Sequence, residues 1–215
     1  MFAFPARLIL NSHPGLTEKG MGKVRHRAGV DCERKRADEQ KENEYKNQEM
    51  DFKLRKWEKS DLNSLVKHAD NINIARWLTN QFPFPYTPES GKSYLAMVEN
   101  DNPVKVFAIE IEGEAAGSIG IFPQADIHEK SAEIGYWLSE KYWRNGIMPK
   151  AVQEIVKYGF ETFDIVRIYA RPFSTNAGSR KVLEKAGFEL EAILKKALYK
   201  NHEYMDELIY VKFRE

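Results

Sequence analysis

The chain has 215 residues, 42% of them hydrophobic, enough to bury one sizeable core. Its 33 basic and 32 acidic residues leave a net charge of +1, so no global field points to nucleic acid or to an anionic membrane. A single cysteine, Cys32, excludes an internal disulfide and a cysteine-only zinc site and fits a reducing, cytoplasmic setting, while no apolar run nears the roughly eighteen residues of a membrane-spanning helix.

Met1 to Leu10 is apolar around Arg7, but no small-residue cleavage pattern follows, so it does not read as a secretory signal. From Asn11 to Glu49 the chain is polar and then almost wholly charged or amide-bearing, without the apolar spacing that lets a helix dock. Residues 1–49 are read as a disordered or dispensable extension, with a basic targeting or docking arm as the alternative, and residues 50–215 as the folded domain. Asp51 to Trp57 alternates polar and apolar as a half-buried strand does. Ser60 then caps a helix carrying Leu62, Leu65, Val66 and Ala69 at helical spacing. Three prolines between Gln81 and Pro88 impose an extended loop, which carries Phe82, Phe84 and Tyr86. A second helix is expected from Ser90 to Val98, followed by a hairpin of Val104 to Glu112 and Ala115 to Phe122 around Gly113-Glu114.

The second half is the more informative. A strand-like run from Ala132 to Leu138 leads through Tyr142-Trp143-Arg144-Asn145-Gly146-Ile147-Met148 into a helix from Met148 to Phe163. A loop that delivers backbone N–H groups at a helix N-terminus offers oriented donors and partial positive charge, and Gly146 lets an anion approach without a Cβ in the way. A strand from Val166 to Arg171 follows, then a helix from Asn176 to Ala186 that Gly187 ends, then closing strands that include Tyr204 to Phe213. Strand, helix, strand in succession implies a parallel pair within a sheet otherwise built from hairpins, so the fold class is α/β (α+β) with a mixed, mostly antiparallel central sheet flanked by helices. His202, Glu203 and Asp206 lack a second histidine at ligand spacing, so no metal site is expected, and Asp206 reads as a structural hydrogen-bonding residue.

The run Ala132-Glu133-Ile134-Gly135-Tyr136-Trp137-Leu138, the loop Tyr142-Trp143 to Gly146-Ile147, the pair Asn176 and Ser179, the segment Glu184-Lys185 to Gly187-Phe188 and the closing Tyr204, Asp206 and Tyr210 together resemble the GNAT superfamily of acetyl-CoA-dependent N-acetyltransferases, in particular its ribosomal-protein N-acetyltransferase branch. The likeness runs from about Met50 to the C-terminus. It implies a splayed parallel strand pair that admits the pantetheine arm of acetyl-CoA like a substitute strand, and a loop that cradles the pyrophosphate. The implied cofactor contacts are Trp137, Leu138, Ser139, Trp143, Arg144, Asn145, Gly146, Ile147, Met148 and Asn176. Met148 and Arg144 stand where the superfamily prefers Gly or Ala and Gly, and Leu183 replaces the tyrosine that in many members protonates the departing thiolate.

Acetyl transfer needs a deprotonated amine, a polarised thioester carbonyl and a proton for the thiolate. By resemblance Glu133 supplies the base, a backbone N–H near Trp137 or Leu138 the polarisation, and Ser179, Tyr136 or a water held by Asn176 the proton, with Ser179 matching the branch best. Phe82, Phe84, Tyr86 and Tyr136 are candidates for the acceptor pocket. Each has a plainer alternative: Glu133 as a charge paired on the strand, Asn176 and Ser179 as helix caps, the aromatics as core. The expected activity is acetyl transfer to a primary amine, a protein N-terminus or a small molecule, by direct attack. The competing reading is a non-catalytic acyl-CoA-binding or protein-interaction module on the same fold. No nucleic-acid or membrane partner is expected, and the quaternary state is monomer or homodimer.

Overall fold

The structure, a computed structural model, describes residues 50–215; the segment 1–49, with Cys32, lies outside the described residues. Seven strands form one sheet: β1 (Lys53–Lys56), β2 (Val106–Ile111), β3 (Glu114–Pro123), β4 (Ser131–Leu138), β5 (Arg167–Ala170), β6 (Glu189–Lys200) and β7 (Glu203–Phe213), in the spatial order β1-β2-β3-β4-β5-β7-β6. All neighbours are antiparallel except β4 and β5, which are parallel. The expected mixed, mostly antiparallel sheet is therefore present. Helices α1 (Leu62–Ala69), α2 (Ile72–Ala75) and α3 (Pro88–Val98) contribute to one core cluster, while α4 (Ile147–Thr162) and α5 (Ala177–Lys185) contribute to the other. The sheet separates two cores, and its period-2 alternation decides which core a strand residue enters.

Several boundaries follow from local chemistry that the apolar pattern does not show. Ser60 is not the cap of α1; a single 3-10 turn (Lys59–Asp61) precedes the helix, and the buried Asp61 carboxylate accepts the Glu58 N–H at 2.9 Å while receiving both Nη atoms of Arg55 at 2.7 Å. Arg55 also reaches Glu110 on β2, which ties β1, α1 and β2 together. Pro88 lies inside α3 as its first residue, where no intrahelical N–H bond is lost, and Thr87 caps the helix by accepting the Ser90 N–H at 3.3 Å. The β2–β3 turn is Glu112-Gly113, with φ of 53° and 80°, one residue earlier than the spacing suggested. The pair of left-handed residues is what a two-residue hairpin turn requires. The alternation also left α2 and the bounds of β6 undefined. α2 is a single capped turn, and β6 is a largely exposed edge strand with two register shifts, so neither carries a strong periodic signal.

Helix α5 ends in a Schellman motif: Gly187, at φ 83°, donates to Glu184 O at 3.1 Å and Phe188 donates to Leu183 O at 3.0 Å. Asp206, expected to be structural, accepts the Lys196 N–H at 2.9 Å where β6 bulges at left-handed Lys196. Helix α4 packs closest to the sheet at Gly159, where an added Cβ would meet Ile121 Cδ1 at 2.2 Å and Ile168 Cδ1 at 3.2 Å. Gly159→Ala is therefore expected to destabilise the domain by about 1–3 kcal/mol through overpacking, despite the better helix propensity of alanine, read as a lower urea midpoint with an unchanged m-value.

Candidate active site

The parallel ladder between β4 and β5 is short. It holds for Ser131↔Arg167, Ala132↔Ile168 and Glu133↔Tyr169, after which β5 ends at Ala170 while β4 continues to Leu138. On its other side β4 stays paired with β3 throughout, and the Ser139 N–H donates to Ala116 O at 2.8 Å. That bond sets the phase of the strand: Glu133, Gly135 and Trp137 turn their backbone groups to β3, and Ile134, Tyr136 and Leu138 turn theirs to the other side, where Ile134 closes the last bridge to β5 and Tyr136 and Leu138 face the gap. The Leu138 carbonyl is taken by the Trp143 indole N–H at 2.7 Å. Its N–H faces the gap, whereas the Trp137 N–H belongs to the β3 ladder, so of the two backbone donors considered from sequence only Leu138 is suitably turned.

Past the strand, Tyr142 is buried and its hydroxyl donates to Glu112 at 2.9 Å, whereas Trp143, Arg144, Asn145 and Gly146 are exposed. Arg144 and Gly146 both adopt positive φ, 67° and 74°, so the loop turns sharply before α4. Gly146 is the N-cap of α4 and supplies no side-chain cap, and the first turn carries no acidic residue. The first N–H groups of this 16-residue helix are thus directed at the mouth of the gap. Ile147 and Met148 contribute backbone only, since their side chains are buried in the core. Ser139, expected to touch the cofactor, is buried and its hydroxyl lies 3.0 Å from His68 Nδ1, while His68 Nε2 lies 2.9 Å from Glu114. It secures the start of the loop to α1 and β3.

The two faces of β4 carry different chemistry. On the α1–α3 side, Glu133 is 6% exposed and desolvation pushes its carboxyl above the ordinary value, with Arg171 opposing and Glu207 reinforcing the shift. Arg171 holds the buried Glu207 in a two-point pair, Nε to Oε1 at 3.1 Å and Nη2 to Oε2 at 2.8 Å. Two carboxylates therefore share a single guanidinium on this face. Farther along, Trp137 packs with Phe82, ring centroids 6.1 Å apart, and Phe82 with Tyr86 at 5.0 Å. Tyr86 is buried, Phe82 half-buried and Phe84 49% exposed, so the proline-rich loop gives one core aromatic, one wall and one outward ring.

Tyr136 is not part of that aromatic group. Alternation sends it to the α5 side, where its hydroxyl lies 2.8 Å from Ser179 Oγ. Burial pushes the phenol far above its usual range, so it stays protonated at neutral pH. Leu183, where a tyrosine was missed, is fully buried in the core. Asn176 caps α5 by accepting the Ser179 N–H at 3.0 Å, which leaves the Ser179 hydroxyl for Tyr136. Sequence reading found Tyr136 and Ser179 separately and did not pair them. It missed His68, Arg171 and Glu207 as parts of the site, because their partners lie 36 to 71 positions away and no spacing reports them.

A separate cleft of about 540 Å³, lined by Arg55, Asp61, Lys67, Glu110 and Glu114 among others, sits between β1, the β2–β3 turn and α1. Its charges neutralise one another in ion pairs, and it lies away from the β4–β5 gap.

Residues 51–189 match the family model described as an acetyltransferase (GNAT) domain. A Bacillus subtilis protein described as the uncharacterized N-acetyltransferase YoaA is 38% identical over 47% of this chain and 58% of its own length. The Escherichia coli ribosomal-protein-serine acetyltransferase is 33% identical over 50% of this chain and 60% of its own. The chain thus spans a little over half the length of these two curated relatives. Among solved structures, the Vibrio fischeri ribosomal-protein-S5-alanine acetyltransferase is 26% identical, covers 75% of this chain and 92% of its own, and superposes with a TM-score of 0.64. A GNAT-family acetyltransferase from Bacillus anthracis reaches a TM-score of 0.65 at 26% identity, over 75% and 94% of the two chains. With the family model covering most of the chain, this chain belongs to the family of GNAT-domain acetyltransferases.

Proposed function

We propose that the protein transfers acetyl from acetyl-CoA to a primary amine by direct attack, with the thioester held in the gap between β4 and β5. The observation that carries this is the broken ladder: beyond the last bridge, Glu133↔Tyr169, the backbone groups of Tyr136 and the N–H of Leu138 face a space that β5 does not fill, and a pantetheine arm presents amides that can complete their bonds. The exposed turn at Arg144-Asn145-Gly146 and the uncapped N-terminus of α4 are placed for the pyrophosphate.

The acceptor enters from the α1–α3 face, past Phe82 and Trp137. Glu133 takes the ammonium proton, the amine nitrogen bonds to the thioester carbon, and the Leu138 N–H steadies the negative charge on the carbonyl oxygen. As the C–S bond breaks, the thiolate takes a proton from Ser179, whose hydroxyl is backed by the protonated phenol of Tyr136 and regains its proton from water, while the second proton of the new amide nitrogen leaves to solvent. In this arrangement Tyr136 supplies from the strand the hydroxyl that position 183 lacks. Relatives by name include the ribosomal-protein-serine acetyltransferase and the Escherichia coli spermidine N(1)-acetyltransferase, 24% identical over 73% of this chain, so a protein N-terminus and a polyamine are both acceptors to test.

Calorimetric titration of acetyl-CoA into the protein is expected to show saturable one-to-one binding, and no binding at millimolar ligand would overturn the proposal. Glu133→Gln should retain that binding and lower kcat by about 10²–10⁴-fold. Binding with no turnover on peptides bearing N-terminal serine or alanine, or on spermidine, would favour the non-catalytic module. The base works only when ionised and its folded-state pKa is raised, so kcat/KM should rise with pH through a value above the ordinary glutamate range; an acid limb at or below that range would remove Glu133 from the role. Gly146→Ala places a Cβ at φ 74° with no atom within 4 Å, so the cost is conformational, about 1–2 kcal/mol, and is expected to weaken acetyl-CoA binding about tenfold with little change in kcat.

A further inference from the structure

A base that is 6% exposed has to return each proton to water before the next turnover, and the acceptor side of Glu133 is closed by substrate during the reaction. The opposite side is not. Ser131 and Glu133 share a face of β4, and Arg167 and Tyr169 share the same face of β5 in parallel register with them. Beyond Glu133, at the end of the strands away from Trp137, lies a cleft of about 170 Å³ lined by Gln124, His128, Ser131, Arg167 and Tyr169. Tyr169 belongs to both places: it stands directly across from Glu133 on the same face of the sheet, close enough for each group to perturb the titration of the other, and it forms one wall of the cleft. The Arg167 guanidinium lies 4.9 Å from the centre of its ring and is itself bonded to Glu191, which restrains the phenol.

We infer that Tyr169 is the proton exit of the active site, a phenol that relays the proton taken up by Glu133 into the water-accessible cleft at His128 and Arg167. The inference rests on the role of Glu133 proposed above. In each turnover the protonated Glu133 carboxyl gives its proton to the phenol oxygen as the phenol gives its own to water in the cleft, so Glu133 is again a carboxylate and Tyr169 again a neutral phenol. No net charge stays in the sheet. The groups facing Glu133 are Tyr169 from β5, Arg171 just past its end and Glu207 from β7, with His128 and Arg167 at the cleft. Arg171 is committed to Glu207, and neither of that pair lines the cleft, which leaves Tyr169 as the hydroxyl common to the carboxylate and the cleft.

The test uses the full chain and its Tyr169→Phe variant, assayed at saturating acetyl-CoA with peptides bearing N-terminal serine or alanine and with spermidine, with Glu133→Gln measured alongside. The substitution keeps the ring and removes only the hydroxyl. The expected result is unchanged acetyl-CoA affinity, kcat lower by about tenfold, a larger solvent deuterium isotope effect on kcat, and an acid limb of kcat/KM moved to higher pH because the carboxylate has lost a donor. A kcat loss with the isotope effect and acid limb unmoved would mark a structural role and overturn the relay. A moved acid limb with undiminished kcat would make Tyr169 a tuning partner only and overturn it equally. If Glu133→Gln retains full turnover, or the wild-type chain is inert to all three acceptors, it is the transfer reading that fails, and the relay with it.

Discussion

Everything at this site depends on one interruption in a hydrogen-bond ladder. Backbone N–H and C=O groups taken from water have to be paired, and a central strand ordinarily satisfies them on both edges. β4 does so against β3 along its length but against β5 for three residues only, so its last five residues present an edge in the middle of a sheet. A protein normally protects such an edge. Here the Trp143 indole covers the Leu138 carbonyl, and the remaining groups are the right kind of surface for an extended ligand that carries its own amides.

The same strand divides the chemistry between its faces. Because side chains alternate, Glu133 and Trp137 reach the side of α1–α3 while Tyr136 reaches α5. In the proposed reaction a thioester lying in the plane of the sheet has the Glu133 carboxylate on one side and the Tyr136–Ser179 hydroxyl pair on the other. The cost is a carboxylate with little access to water. Glu133 keeps its folded-state pKa above the unfolded value, so it favours folding below the unfolded pKa, and that contribution is lost as pH rises through the folded value. Ionising Glu133 is thus a cost that the fold carries.

Anchors hold the edges of the gap. His68, buried between Ser139 and Glu114, joins α1 to the end of β4 and the start of β3, so the loop that turns at Gly146 begins from a fixed point. On the far side, Lys200 of β6 donates to the carbonyls of Ala75 and Leu78 at the end of α2, which binds the C-terminal hairpin to the segment leading into the proline-rich loop. Arg171 and Glu207 couple β5 to β7 below the same space. These contacts span the sheet and join its two halves around the opening.

The sequence by itself determined the class of fold, the strand–loop–helix at Ala132 to Phe163, the helix from Asn176 closed by Gly187, and Glu133 as the carboxylate on the critical strand. Each of these is local: period-2 and period-3.6 alternation, a left-handed glycine and a cap are written within a few residues of one another. Where local chemistry competed with the pattern the boundary moved, as at Asp61 in place of Ser60 and at Pro88 inside α3. Only the tertiary structure decided which partners Tyr136 and Trp137 meet on their opposite faces, that Ser139 is spent on His68, and that Tyr169 stands between Glu133 and a cleft. Those are contacts between residues dozens of positions apart, set by which strands pair and where pairing stops, and nothing in the spacing of one segment reports the register of another.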